Sequence, residues 1–240
     1  DFCLSRGLGD VYKRQDQLYR NQYVLVRVEN AFGACAVEAG ELGPEVSELS
    51  GRPVGELLED SRSPVRLAAL DGWLAARCPH RDDDRAQAVR LPPGTPDQRA
   101  EARDDAVAGL LDIGAGDRVA LIGVVNPLVA AIRDRGGEPL PCDFGMQFTQ
   151  WGDPVTDDMD EVLDEADAVI ATGMTLGNGS FDRIRRRCLD RSLPLALYAQ
   201  SGSAVAREFL GRGVAALSAE HFPFSQFSAD ETLLHVYRVP

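Results

Sequence analysis

The chain has 240 residues, of which 44% are hydrophobic and 26% charged, a composition typical of one or two globular domains. Its net charge is −13, and apart from the arginines within residues 183–187 it has no basic cluster, so we expect no nucleic-acid partner. No apolar run approaches the roughly 20 residues that span a bilayer, so we expect no membrane partner.

The cysteines are odd in number and widely spaced. The five are Cys3, Cys35, Cys78, Cys142 and Cys188. Because none forms a C-x-x-C pair, the sequence predicts neither a disulfide framework nor a structural zinc site. The sequence shows no recognisable signal peptide, so we expect a cytoplasmic protein.

Residues 1–15 differ from the rest of the chain, because they show neither a hydrophobic period nor a helix cap. The segment resembles translated adaptor sequence at the start of reading frames assembled from environmental DNA. We therefore expect it to be non-native and exclude it from fold prediction.

Residues 16–78 predict a small α+β domain. Residues 23–28 and 34–38 are rich in β-forming side chains and predict a hairpin with its turn at residues 30–33. Ser63 and Pro64 are typical of a helix start, with serine as N-cap and proline at the first helical position. Val65 and Trp73 belong to the predicted apolar face of that helix.

Residues 79–98 are charged and proline-rich, which predicts an exposed loop or linker between two domains. His80 and the aspartates at residues 82–84 lie in this segment. Consecutive aspartates in a polar loop are more typical of a solvated surface than of a metal site.

Strands and helices alternate from residue 99 to residue 240. Strands are predicted at residues 119–123, 138–144, 168–171, 194–199, 213–217 and 233–239. The alternation predicts a Rossmann-like α/β fold, with a mostly parallel sheet and helices on both of its faces. The chain is therefore predicted to be a Rossmann-like domain preceded by the small α+β domain.

One stretch imitates a cofactor motif. Residues 110–119, LLDIGAGDRV, look like the first motif of methyltransferases that use S-adenosylmethionine, but Gly114 and Gly116 precede the predicted strand instead of following it. The G-x-G-x-x-G of dinucleotide enzymes is also absent after this strand. The sequence therefore gives no evidence for NAD or S-adenosylmethionine as a cofactor.

The loop at residues 172–180, TGMTLGNGS, lies between a predicted strand and a predicted helix. Its glycines allow close approach of the backbone to a ligand, and a helix start offers unpaired N–H groups to an anion. The alternative is a helix cap with turn glycines and no ligand.

Four small or polar loops follow parallel strands and should meet at the carboxyl edge of the sheet. We therefore expect a ligand site there. Asp143 lies about 20 residues after Gly123, the spacing at which a carboxylate can accept a hydrogen bond from a ribose. The candidate ligand-binding residues are Gly123, Asn126, Asp143, Thr172, Gly173, Thr175, Asn178, Gly179, Ser201, Gly202 and Ser203.

The sequence TGMTLGNGSFD at residues 172–182 resembles the T-G-x-T-L-x-N-G-T-x-D signature of the putative heavy-metal chelation family, a Rossmann-like family of bacteria and archaea. Residues 200–204, QSGSA, are similar to the G-P-S-like turn of that family but lack its proline, and residues 211–217 resemble its following strand. Residues 23–76 are similar to the enolase N-terminal-like domain that often precedes it. The resemblance implies this two-domain fold and a role in heavy-metal handling.

Metal ligands are scarce near the predicted edge. Cys142, Asp143 and His221 are the candidates, although soft and hard metals each prefer a denser ligand set. A preformed metal chelate could instead bind through Thr175, Asn178 and Ser201. The family resemblance implies a divalent metal or a metal chelate as a possible cofactor. The residues themselves do not identify one.

Three classes of function remain open. The first is binding of a small anionic molecule or metal chelate, and the second is an enzyme, a lyase or transferase, that uses the same pocket. The third is a structural or interaction protein. Its aromatic residues 222–227 could form a homodimer contact, although core packing explains them equally well. A titratable group with a perturbed pKa in the pocket would favour the enzyme. The acid–base candidates are Asp143, Asp182, Tyr198 and His221.

Overall fold

The computed structural model describes residues 22–38 and 40–239, together with the backbone of Phe2 and Cys3. Most of the segment expected to be non-native, residues 1–15, therefore lies outside the described residues. Phe2–Cys3 forms a short strand, β1, that pairs antiparallel with the following strand. Within the described part of the chain, no helix has both the length and the apolar character needed to cross a membrane.

The N-terminal unit is a hairpin covered by helices. Strands β2 (Gln22–Val28) and β3 (Ala31–Val37) pair antiparallel, followed by a 3-10 turn (Pro44–Leu49), α1 (Val54–Leu58) and α2 (Ser63–Arg77). The predicted turn at residues 30–33 was wrong by a short shift. Glu29 adopts φ 53° and forms a two-residue turn with Asn30, so β3 begins at Ala31.

Helix α2 lies against β3 with backbone nearly touching backbone. A Cβ atom on Gly33 would lie 2.0 Å from the amide nitrogen of Gly72. This close approach selects the face of α2 that is buried, and it leaves Trp73 41% exposed, contrary to the predicted apolar face. The N-cap is Arg62, so Ser63 is already helical and is not the predicted cap.

The main sheet has seven strands in the order β4-β10-β9-β8-β7-β5-β6. The strands from β5 to β9 are parallel, whereas β10 and β4 run antiparallel at one edge. The predicted Rossmann-like α/β fold is therefore confirmed. The strands are β4 (Gln87–Leu91), β5 (Arg118–Ile122), β6 (Glu138–Cys142), β7 (Ala168–Thr172), β8 (Leu195–Ala199), β9 (Ala216–Ala219) and β10 (Thr232–Arg238).

Helices cover both faces of this sheet. Apolar side chains of α3 and α4 pack with Leu121 and Ile170 on one face, whereas α5 and α7 pack with Val169 and Leu197 on the other. The helices after the N-terminal unit are α3 (Pro96–Ala108), α4 (Asn126–Asp134), α5 (Met159–Glu165), α6 (Met174–Gly177), α7 (Phe181–Arg191) and α8 (Ser203–Arg207), with 3-10 turns at His80–Asp82 and Ser225–Phe227.

The predicted linker at residues 79–98 was wrong in two places. Gln87–Leu91 forms β4, which pairs with β10 at the edge of the sheet and buries Leu91. Thr95 begins α3 through a capping box with Gln98. An edge strand with most of its side chains exposed has the composition of a loop, so composition alone missed it. The boundaries of the two domains stay a prediction.

The glycines of the methyltransferase-like stretch precede β5, as predicted. Gly116 adopts φ 86°, and its N–H donates to the carbonyl of Gly136 over 2.9 Å. They therefore form a turn at the amino end of β5, away from the edge where ligands bind in such sheets.

The contact between Gly33 and Gly72 generates a stability test. We expect Gly33→Ala to lower the free energy of unfolding by about 1–3 kcal/mol or more, because the added methyl group forces α2 away from the hairpin. Urea denaturation of the purified variant measures this change. Gly55→Ala is the control, because nothing lies within 4 Å of a Cβ atom at that helical position. Equal stability of both variants would contradict the close packing.

Candidate functional site

The order of the strands identifies where the carboxyl edge of the sheet opens. From β5 the chain crosses through α4 to β6 on one side, and β7 then lies on the other side of β5. The loops after β5 and β7 therefore leave the sheet in different directions. In open α/β sheets this reversal creates the crevice in which ligands bind. We call the region around Gly123 and Thr172 the switch-point crevice.

Gly123 forms the floor of this crevice. It adopts φ 86°, and its N–H donates to the carbonyl of Cys142 over 2.9 Å. A Cβ atom at this position would lie 2.5 Å from Thr172 Cγ2 and 3.0 Å from Tyr198 Oη. Both the backbone conformation and the space therefore require glycine here.

Tyr198 lies beside Gly123 and acts as a neutral donor. Its hydroxyl donates to the carbonyl of Gly123 over 2.5 Å. Burial raises the pKa of Tyr198, the Thr172 hydroxyl opposes that rise, and the negative charges of Asp104 and Asp143 add to it. The phenol therefore stays protonated near neutral pH.

Asp143 joins the loops that follow β5 and β6. Its Oδ2 accepts from the N–H of Val124 over 2.9 Å, and its Oδ1 accepts from the N–H of Gly145 over 2.7 Å. Asn126, at the start of α4, accepts from the N–H of Gln150 through Oδ1 over 3.0 Å. No acceptor for its Nδ2 lies among the described residues. The crevice thus offers a fixed carboxylate and an uncommitted amide donor.

The loop after β6 carries exposed aromatic side chains. Phe144 and Phe148 are 74% and 57% exposed. Arg133 of α4 holds the loop through an ion pair with Asp153 at 2.8 Å, and its guanidinium lies 5.1 Å from the centre of the Trp151 ring. The exposed rings are therefore carried by a loop fixed to α4.

The second predicted loop, residues 200–203, is covered by the N-terminal unit. Ser201 Oγ accepts from the N–H of Ala36 over 2.8 Å, and the N–H of Gly202 donates to the carbonyl of Ala34 over 2.8 Å. Ser203 Oγ lies 3.3 Å from His80 Nε2. Ser201, Gly202 and Ser203 are all buried, and the polar groups of Ser201 and Gly202 hold the hairpin in place.

Asp71 of α2 completes this contact and was missed from the sequence. Its carboxylate accepts from the N–H groups of Ala34 at 2.9 Å, Ala204 at 2.7 Å and Val205 at 3.4 Å. Burial raises the pKa of Asp71 to about 6, against the opposing effect of these backbone donors. A single acidic residue inside an otherwise apolar helix face was the available signal.

The glycine-rich loop divides between packing and solvent. Gly173 packs against the carbonyl of Ser201, and Thr175 is buried with its hydroxyl donating to the carbonyl of Thr172 over 2.7 Å. Asn178 and Gly179 are exposed at the tip, where Asn178 Oδ1 accepts from the N–H of Ser180. The structure therefore brings Gly123, Asn126, Asp143 and Thr172 to the crevice, and it places the other seven candidates elsewhere.

The three candidate metal ligands do not meet. Cys142 and Asp143 lie at the end of β6, whereas His221 follows β9, four strands away. Four strand spacings amount to about 19 Å. Burial also raises the pKa of Cys142 to about 12, which keeps its thiol protonated. Within residues 22–38 and 40–239, no group of three or more histidine, cysteine, aspartate or glutamate side chains is arranged to hold a metal ion.

His221 instead joins His80 and His235 in a row of rings. The ring centres lie 5.7 Å apart for His221 and His235, and 5.8 Å apart for His80 and His235. Burial lowers the pKa of His80 to about 3, and its Nδ1 lies 2.7 Å from the hydroxyl of Tyr237. Burial also lowers the pKa values of His221 and His235. The rings of His80 and His235 are stacked and those of His221 and His235 are tilted, so the three histidines pack together away from the crevice.

The aromatic residues 222–227 pack inside the molecule. The ring centres of Phe32 and Phe222 lie 5.2 Å apart, and those of Tyr23 and Phe224 lie 5.1 Å apart. Phe224 is fully buried. The hairpin of the N-terminal unit packs against this stretch, as the alternative of core packing predicts. The possible homodimer stays a prediction.

Buried polar residues of α3 and of the segment after β9 were also missed. Arg103 Nε donates to Asp104 Oδ1 over 2.8 Å, and Asp104 has no exposed surface. Glu220, which is 4% exposed, accepts from the N–H of Ser225 and from Gln200 Nε2. Asp104 lies three residues before Val107, which places it on the buried face of α3. This helical spacing could have identified Asp104 as a buried residue from the sequence.

Residues 105–219 match the model of the DUF364 family, whose description is putative heavy-metal chelation. The match covers just under half of the chain. This confirms the family resemblance seen in the sequence. No curated protein matches the chain.

Two solved DUF364 proteins of unknown function share the fold. The protein from Pyrococcus horikoshii is 18% identical with a TM-score of 0.67, over 100% of this chain and 92% of its own. The protein from Desulfitobacterium hafniense is 14% identical with a TM-score of 0.65, over 90% of this chain and 88% of its own. At these identities the likeness shows the fold of the DUF364 domain and not its ligand.

The raised pKa of Asp71 predicts a pH dependence. The native state holds this proton more tightly than the unfolded chain, so stability falls as the pH rises from about 4 to about 6. We expect the unfolding free energy of the protein to fall relative to Asp71→Asn by about 1.4 kcal/mol per pH unit across that range.

Urea denaturation from pH 4 to pH 7 measures this slope. Asp71→Asn leaves one backbone N–H without an acceptor, which lowers stability by a constant amount, so the slope is the diagnostic quantity. Asp84→Asn, at an exposed position, is the control and should follow the unmodified protein. If the unfolding free energies of all three proteins changed with pH in the same way, the raised pKa of Asp71 would be refuted.

Proposed function

We propose that the chain binds a small anionic molecule or a metal chelate in the switch-point crevice, as part of heavy-metal handling. The observation that supports this most is the convergence of Gly123, Asn126, Asp143 and Thr172 at the reversal of strand order. The crevice lies on the half of the carboxyl edge that the N-terminal unit does not cover. The start of α4 adds the positive end of a helix dipole.

A preformed complex fits the crevice better than a bare metal ion does. Within the described residues the side chains do not supply a ligand set for a metal. A chelate brings its own ligands and presents carboxylates or amides to the protein. The Asn126 amide and the first N–H groups of α4 can donate hydrogen bonds to such groups.

A second candidate function is an enzyme, a lyase or transferase, that uses the same crevice. The observation that favours it is Asp104, whose pKa is raised by burial and by the charge of Glu220 against the opposing effect of Arg103. A carboxyl group whose pKa is raised keeps its proton to a higher pH than a free carboxyl group does, which suits a general acid. Turnover of a bound molecule by the purified protein would distinguish the enzyme from the binding protein.

Native mass spectrometry tests the proposed binding. The purified protein is compared with the same sample after denaturation, and metal content is measured in parallel. We expect a retained small molecule or chelate that is lost in Asn126→Ala, because its Nδ2 has no other acceptor in the described chain. Asn178→Ala is the matched control, since Asn178 lies at the exposed tip of the glycine-rich loop and should retain the molecule.

Two outcomes count against the proposal. One is loss of the molecule from Asn178→Ala with retention in Asn126→Ala. The other is an empty protein that also shows no thermal shift with metal ions, nucleotides or metal chelates.

A further inference from the structure

Asp143 places a fixed carboxylate without a positive partner at the switch-point crevice. Its Oδ2 accepts from the N–H of Val124 over 2.9 Å, and its Oδ1 accepts from the N–H of Gly145 over 2.7 Å. These are the partners that the described residues give its side chain, and neither is a cation. Since a carboxylate has about four acceptor sites, each oxygen of Asp143 keeps one for a ligand.

The groups around this carboxylate are open to solvent. Asp143 is partly exposed, and so are Gly123, Asn126 and Thr172. A Cβ atom on Gly123 would lie 2.5 Å from Thr172 Cγ2, so the loop after β5 lies directly against the end of β7. Because solvent reaches all four residues, a ligand can reach them from the same side.

Charge restricts which group of a ligand can bind to Asp143. The proposed ligand is anionic, and an anionic group placed against this carboxylate would be repelled. Hydroxyl groups are neutral donors that an anionic molecule can carry, and two adjacent hydroxyls fill the free site on each oxygen. Asp143 also follows β6, the neighbour of β5, where a carboxylate binds ribose hydroxyls in dinucleotide-binding sheets.

Phe144 offers a surface for a planar group next to this carboxylate. It lies between Asp143 and Gly145, and the hydrogen bond from the Gly145 N–H to Asp143 Oδ1 bends the backbone at this residue. The side chain of Phe144 is 74% exposed, more than any other large hydrophobic residue of the described chain. A base that stacks on such a ring removes the surfaces of both from water. A base carried by a ribose on Asp143 can reach this ring.

We propose that the crevice binds a ribonucleoside monophosphate, an inference that rests on the proposed binding of an anionic molecule there. Asp143 accepts from the two ribose hydroxyls, and Phe144 stacks on the base. The amide Nδ2 of Asn126, at the start of α4, donates to the phosphate. A monophosphate fits because the residues after β5 lack the G-x-G-x-x-G that admits a pyrophosphate.

Two nucleotides that differ only in the ribose hydroxyls test the class of ligand. The four ribonucleoside monophosphates are titrated first, and the tightest is then compared with its 2′,3′-dideoxy counterpart. We expect the dideoxy nucleotide to bind at least about tenfold more weakly, because it leaves two acceptor sites of a charged carboxylate without donors. Isothermal titration calorimetry or saturation-transfer NMR on the unmodified protein measures both affinities.

A carboxylate variant assigns this preference to Asp143. Asp143→Asn should remove most of the preference for the ribonucleotide, because an amide has one acceptor oxygen instead of two. Asp117→Asn is the matched control and should keep the preference. Asp117 is also partly exposed and accepts a backbone N–H, from Gly114 over 2.7 Å, but it lies at the amino end of β5, on the opposite edge of the sheet.

An aromatic variant tests the stacked base. Phe144→Ala should weaken binding of the ribonucleotide about tenfold and leave the affinity for ribose 5-phosphate, which has no base, unchanged. If Asp143→Asn does not fold, Phe144→Ala and the comparison of the two nucleotides still decide.

Absence of binding by all four ribonucleotides would overturn the inference. Equal affinity of the unmodified protein for the ribonucleotide and the dideoxy nucleotide would also overturn it, and so would unchanged nucleotide binding by Phe144→Ala. The proposed function fails separately, through the loss or retention of a molecule in Asn126→Ala. If the molecule is lost from Asn126→Ala while no ribonucleotide binds, the crevice binds another anion or a chelate and only the nucleotide class is wrong.

Discussion

The structure depends on one buried carboxylate. Asp71 accepts hydrogen bonds from Ala34 on the hairpin and from Ala204 and Val205 at the start of α8, so it joins the N-terminal unit to the main sheet. Without it, three backbone donors would be buried without acceptors, at a cost of about 1–3 kcal/mol each. The direct bonds of Ser201 and Gly202 to the hairpin surround this contact and exclude water from it.

This contact decides which part of the carboxyl edge is open. In an isolated Rossmann-like sheet every loop at that edge could meet a ligand, but here the hairpin and α2 cover the ends of β7 and β8. Gly177 packs against Cys35, so even the glycine-rich signature contributes to this interface. The crevice at Gly123, between Thr172 and Asp143, remains outside it. The DUF364 signature is thus explained by packing at least as much as by ligand contact.

The sequence predicted the alternating elements well, because buried parallel strands such as Ala168–Thr172 are short continuous apolar runs. It also predicted the edge of the sheet at which Gly123 and Asp143 meet. It could not show that Ser201 and Gly202 are covered, because that depends on where a separate part of the chain packs. It could not show that Asp104 is buried, because the composition of a helix does not distinguish a buried carboxylate from an exposed one until the buried face of α3 is known. Strand β4 was missed because an exposed edge strand has the composition of a loop.

The hydrogen bonds between the N-terminal unit and the sheet predict that the two unfold together. Native-state hydrogen exchange measured by NMR tests this most directly, at the amides of Ala34, Ala36 and Ala204. The amides of Ala36 and Ala204 bond across the interface, to Ser201 and Asp71, whereas the amide of Ala34 bonds to Asp71 within the N-terminal unit. We expect these amides to exchange only with global unfolding, with the same free energy as the amide of Ile170 in the core of β7. Exchange of the three amides through a smaller opening, while Ile170 stays protected, would contradict it.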